Sequence, residues 1–254
     1  MGLFSSMPDS ISTLIFQSAS RAHRTNSILH ILWLNRVLLI ASAVSFVLWF
    51  VPVLRWIIYP FRLFVVYIHE ASHCLAAIVT GGKVERFTLH PLHPEYRGLA
   101  YTRGGKRTII TSAGYIGSVL IGGLLLFLTK DNDWIAPTFV GLGIFILAFT
   151  AFYARNFFAI MFGLLLVAMA AGAVYFVRPF YAGAGLKFLA VQCCFGAWYE
   201  LVGAVRISRD PQAHSDASIM RDLTGIPAIF WAVLWSVISL AVLGFSLLYS
   251  LRYS

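Results

Sequence analysis

Residues 67–77 read YIHEASHCLAA, two histidines and a glutamate set into a run otherwise apolar enough to cross a bilayer. His69 and His73 are four positions apart, so on an α-helix their imidazoles lie one turn apart on the same face. With Glu70 directly after the first histidine, this is the spacing that holds a zinc ion and sets a general base beside its water. At this composition a His-Glu-x-x-His match arises by chance on the order of once in a hundred such chains. Inside an apolar span chance explains less, because an ionisable side chain there costs about 2.5–3.5 kcal/mol on insertion scales and persists where it has a use.

The rest of the chain agrees with a membrane setting. Of its 254 residues 59% are hydrophobic and 11% charged, with a mean hydropathy of +0.81, whereas about a quarter of the residues in a soluble domain are charged. Apolar runs between polar or Pro/Gly-rich breaks predict spans at 37–54, 57–80, 108–129, 134–152, 156–177, 185–204 and 226–250. The fold class expected is therefore an all-α polytopic membrane protein, a bundle of six or seven transmembrane helices. The count depends on 134–177, where FYARN is the one polar break and a re-entrant segment would give six. Residues 1–36 read as a polar tail without the cleavage pattern of a secretory signal, so the first span is expected to act as an uncleaved anchor.

Charge sets an expected orientation. With seven spans, one side receives the tail and segments 81–107, 153–156 and 205–225, which hold 13 of the 19 Lys and Arg residues; the positive-inside rule puts that side in the cytoplasm. His69 and His73 would then lie about 10–17 Å below the cytoplasmic surface. The net charge of +9 is scattered singly through loops, which argues against a nucleic-acid partner. Cys74, Cys193 and Cys194 sit in apolar runs and read as buried thiols. In the longest polar stretch, VERFTLH and GLAYTRG read as two short strands around a proline-containing turn, a β-hairpin after the second span whose edge could receive an extended peptide.

Two histidines leave a third metal ligand to be found. Asp131 and Asp133 fall on the opposite side of the membrane in this topology. Glu200, in CCFGAWYELVGAV, is the other acid within an apolar run, at a depth comparable to the histidines, and an intramembrane carboxylate demands a partner. Asp216, in AHSDASIMRDLTGIP, lies on the correct side too, though Ser215 or Asp216 could merely cap a following helix. On burial alone Glu200 ranks ahead of Asp216. His90, His93 and His214 read as solvated loop residues. Gly114, Gly117, Ser118, Gly122 and Gly123, in TSAGYIGSVLIGG, would let a helix approach closely.

FVVYIHEASHCLAAIVTGGKVERFTLHP, followed by TSAGYIGSVLIGG and later by HSDASIMRDLTGIPAIFWAVLW, resembles the site-2 protease family of intramembrane zinc metalloproteases, in its peptidase M50B-like branch. The resemblance implies one metalloprotease-like transmembrane domain over 37–254 and a multi-pass protein embedded in membrane lipid. It further implies zinc-dependent hydrolysis of a transmembrane protein substrate, with Zn2+ on His69, His73 and an acidic residue, and Glu70 activating water. Better-studied members take that acid from an Asp-Gly pair in a late span; this chain has none, so Glu200 and Asp216 both stay open. A non-catalytic protease-like scaffold or a metal-binding membrane protein is the competing expectation.

Overall fold

The computed structural model describes residues 36–51, 54–93, 97–207 and 215–253; within these, the side chains of 49–50, 55, 197–207, 247 and 250–253 are not described. Residues 1–35 of the expected tail and His214 fall outside them. Seven long helices run among the described residues: α1 (Arg36–Phe50), α2 (Arg55–Val79), α3 (Arg107–Leu128), α4 (Ile135–Tyr153), α5 (Phe157–Phe176), α6 (Pro179–Ile207) and the last, α8 (Ala228–Tyr253). A short α7 (Asp216–Thr224) precedes α8, and strands β1 (Lys83–Leu89) and β2 (Gly98–Arg103) follow α2. Each apolar run read from the sequence has become a helix.

Five of the described helical stretches are long and apolar enough to cross a membrane: Trp56–Val79, Arg107–Leu128, Asn132–Tyr153, Phe157–Phe176 and Ala228–Ser246. The protein is an integral, multi-pass membrane protein. α5 shows why: it is apolar on every side yet mostly uncovered by protein, with Phe157 76% and Phe176 89% exposed, a surface that only lipid satisfies. The stretch 134–177 forms two helices, α4 and α5, packed on each other. FYARN breaks them because Asn156 caps α5, its side chain accepting from Ala159 N–H at 3.2 Å.

α2 is the central element. Pro60 lies in its second turn, where it removes one ladder donor near the start and leaves the helix to continue. At the other end Gly81, at φ 83°, turns the chain out of the helix, a conformation in which a side chain would be strained. The chain then folds back. Gly82 N–H donates to the Ala77 carbonyl (2.7 Å), the Phe87 ring meets Tyr67 (centroids 5.2 Å), and the Tyr59 hydroxyl donates to the Pro91 carbonyl. The hairpin thus lies along α2 from about residue 80 to residue 59, roughly 30 Å at helical rise.

β1 and β2 are antiparallel, with Lys83 opposite Arg103, Phe87 opposite Ala100 and Leu89 opposite Gly98, and a bulge between Val84 and Arg86. The outer edge of β1 is covered by the α4–α5 break, a pairing absent from the sequence reading. Ala154 bridges Phe87 in parallel, Arg155 N–H donates to the Phe87 carbonyl (3.0 Å), and the Asn156 amide exchanges two hydrogen bonds with the Leu89 backbone (3.1 and 2.6 Å). Among the described residues no strand pairs with the outer edge of β2.

Candidate metal centre

His69 and His73 face α3 and α7 from α2. His69 Nε2 lies 2.9 Å from Asp216 Oδ2, His73 Nε2 lies 3.2 Å from the same oxygen, and the two Nε2 atoms are 3.0 Å apart. Two of these three atoms are imidazole nitrogens and the third is a carboxylate oxygen, the donor types that bind zinc. Tetrahedral ligands about 2.0–2.1 Å from zinc stand about 3.3 Å apart, close to the spacings seen. Among the described residues this is the one group of three His, Cys, Asp or Glu side chains close enough to share an ion.

The surrounding structure orients each member. His73 donates from Nδ1 to the Ile110 carbonyl at 2.6 Å, which fixes the tautomer whose Nε2 lone pair is free toward the group. The His69 ring stands edge-on to Tyr115 (centroids 4.5 Å, 75°), and Tyr115 stacks on Trp235 of α8 (4.7 Å, 19°). Asp216 is available because its neighbour does the capping: Ser215 accepts from Ser218 N–H in a reciprocal capping box, and Gly225 closes α7 at φ 74°. Ala217 and Met220 bury the inner face of α7 against Tyr115 and Trp235.

α3 and β2 can come this close only at glycines. A Cβ on Gly114 would lie 2.5 Å from His69 Cε1 and Nε2 and 2.6 Å from His73 Cε1; one on Gly98 would lie 2.7 Å from Glu70 Cγ and 3.0 Å from Glu70 Oε1. Gly114→Val is therefore expected to leave helical content intact by circular dichroism while lowering metal affinity at least tenfold or so, the scale on which displaced ligand geometry is felt. Equal metal content in the variant and the parent would refute this role for Gly114.

The centre thus gathers His69, His73 and Asp216, with Glu70 one position along α2 and buried. Glu200, ranked first on sequence, lies in α6 within the stretch whose side chains are not described, while Asp216 is the acid found against both imidazoles. Apolar runs carry no sign of where Asp216 lies, because α7 is covered by α3 and α8, not by its own sequence. His90 bonds Thr88 (3.1 Å) in the hairpin, and Asp131 accepts from Asp133 N–H (3.1 Å) in the turn before α4; neither joins the group. Ile110 and Tyr115 carried no signal in the sequence. The glycine of RGLAY, Gly98, did carry one, since a strand glycine marks a close backbone approach.

A model of the peptidase M50B-like family matches residues 37–246, most of the chain. The chain belongs to the peptidase M50B-like family. This family of membrane metallopeptidases supports the peptidase reading and implies a metal, with which the His69, His73 and Asp216 group is compatible. Searches of curated proteins and of solved structures returned no match to this M50B-like protein.

Proposed function

We propose that this M50B-like protein is a zinc-dependent intramembrane protease that hydrolyses peptide bonds of transmembrane proteins near the cytoplasmic side of the bilayer. The observation that carries the reading is the convergence of His69 Nε2, His73 Nε2 and Asp216 Oδ2 beside Glu70. These three residues would hold the ion and leave a fourth position open. Zinc bound there supplies Lewis acidity to water and to the scissile carbonyl. Glu70 takes the proton from the attacking water and returns it to the leaving amine as the C–N bond breaks, so one water is consumed per bond cut. The Ile110 carbonyl holds His73 in the metal-binding tautomer throughout.

A helical substrate hides its backbone in its own hydrogen bonds and must be drawn out into an extended form before attack. β2 supplies the template. Because the Phe87 carbonyl is turned toward Arg155, its partner Ala100 turns its N–H and C=O away from β1, and by the antiparallel alternation Gly98 does the same. These groups form the edge that no strand pairs with among the described residues; Gly98 on it is buried, and the Ala100 backbone already hydrogen-bonds Glu70, a bond that an added segment would exchange for its own. A segment added to this edge is held directly at the proposed base.

Elemental analysis of the detergent-purified protein tests the proposal first. About one zinc per chain is expected, and loss of it in His69→Ala/His73→Ala; no transition metal in folded protein would overturn the reading. Reporter tags at the two ends test the orientation. The 13-to-6 split of basic residues predicts a cytoplasmic N-terminus and a C-terminus on the opposite side. Both ends on one side would refute the odd number of crossings.

A further inference from the structure

The open end of the hairpin carries an unusual charge arrangement. Lys83 and Arg103 are directly opposite in the strand register, where like charges destabilise the pair. Arg86 lies over the Tyr101 ring (4.1 Å) on the same hairpin. Lys106 and Arg107 then occupy the N-cap and first position of α3, where the helix dipole disfavours cations and the Lys106 side chain makes no cap, the Thr80 hydroxyl accepting from the Lys106 N–H alone (3.1 Å). All five side chains are exposed, Glu85 is the nearby acid in sequence, and among the described residues none of the five forms an ion pair. Orientation in the membrane requires basic residues in this segment. It does not require them opposite one another across a ladder or at a helix N-terminus, two placements that each cost stability until an anion arrives.

We propose that this basic cluster is a docking surface for an acidic segment of the substrate, next to the stretch that is cleaved. The inference rests on the protease reading and extends it to a class of substrate. β2 runs from Gly98, at Glu70, to Arg103, so a strand laid on its outer edge with its scissile bond at Gly98–Ala100 continues past Arg103 about 10 Å further on, at about 3.3 Å per residue. The substrate residues some three to six positions from the scissile bond, on the membrane-surface side, then meet Lys83, Arg103, Lys106 and Arg107. Asp or Glu there would relieve the Lys83/Arg103 repulsion and satisfy the α3 N-terminus together. A phospholipid headgroup could also neutralise the cluster, but β2 leads a bound peptide to it from the proposed catalytic base, and this favours the peptide.

The test uses full-length protein carrying Glu70→Gln, reconstituted in phosphatidylcholine bilayers. The ligands are labelled transmembrane peptides identical except for four flanking residues, which are acidic, Ser/Asn or Lys. The acidic peptide should bind about tenfold tighter than the neutral one, as two or three exposed ion pairs allow, and the preference should fade in 0.5 M salt. Arg103→Glu/Lys106→Glu should invert the order, and the milder Arg103→Gln/Lys106→Gln should flatten it with zinc content unchanged. Equal binding of all three peptides, or of none, overturns the proposal. So does an effect of the substitutions that appears only in bilayers containing anionic lipid and ignores peptide charge. Charge-dependent binding to the parent protein without any cleavage would leave this surface standing and refute the protease reading instead.

Discussion

Glu70→Gln is expected to abolish nearly all cleavage of a membrane-embedded substrate while leaving zinc in place. The amide keeps the size and hydrogen-bonding reach of the carboxyl but cannot take a proton from water, and general-base catalysis typically contributes about 10^2- to 10^4-fold. Glu70 is not one of the three converging side chains, so metal content should not follow it. The decisive measurement is paired: zinc per chain by elemental analysis, and cleavage in reconstituted membranes. Equal cleavage by the parent and the Glu70→Gln protein would end the mechanism proposed for this site, whatever the metal content. Loss of zinc in the variant would instead move Glu70 into the ligand set.

Asp216→Ala should strip the metal, and Glu200→Ala should leave it. Removing the carboxylate leaves two imidazoles whose Nε2 atoms stand 3.0 Å apart and nothing on the third side. Loss of an outer partner alone commonly costs 10- to 100-fold in metal affinity, so loss of a direct ligand is expected to exceed about 100-fold. Ser215 and Ser218 keep their reciprocal cap in Asp216→Ala, and α7 keeps Ala217 and Met220 in the small core with Tyr115 and Trp235. The variant should therefore fold, which separates metal loss from collapse. Zinc leaving on substitution of Glu200 but staying on that of Asp216 would return the third ligand to α6.

The sequence disclosed whatever is local. Membrane helices announce themselves by composition over some 20 residues, and the two-histidine spacing needs one helical turn, so α2 and the shared face of its two histidines were legible from eleven residues. The FYARN break was legible as well, because Asn156 caps the helix it precedes. What escaped depends on pairs far apart in the chain. Ala154 bridges β1 through its backbone, which no side-chain pattern encodes. Asp216 meets His69 across 147 residues, and the local pattern around it reads as an exposed helix start. Tyr115 and Trp235 are two apolar residues among many until α7 is seen packed between their helices.

That separation of 147 residues also has a consequence in time. At the usual pace of about 5–20 residues per second, translation delivers Asp216 on the order of 10–30 s after His69. During that interval the nascent chain can insert α2 and fold back its hairpin, but a carboxylate from this source is not there to close the cage. A ribosome that stalls or terminates early therefore yields a membrane-embedded fragment carrying both histidines and the glutamate, incapable of retaining zinc through this triad. Were Asp216 the third ligand, metal retention by this group would be deferred until 147 further residues had followed the first histidine out of the ribosome.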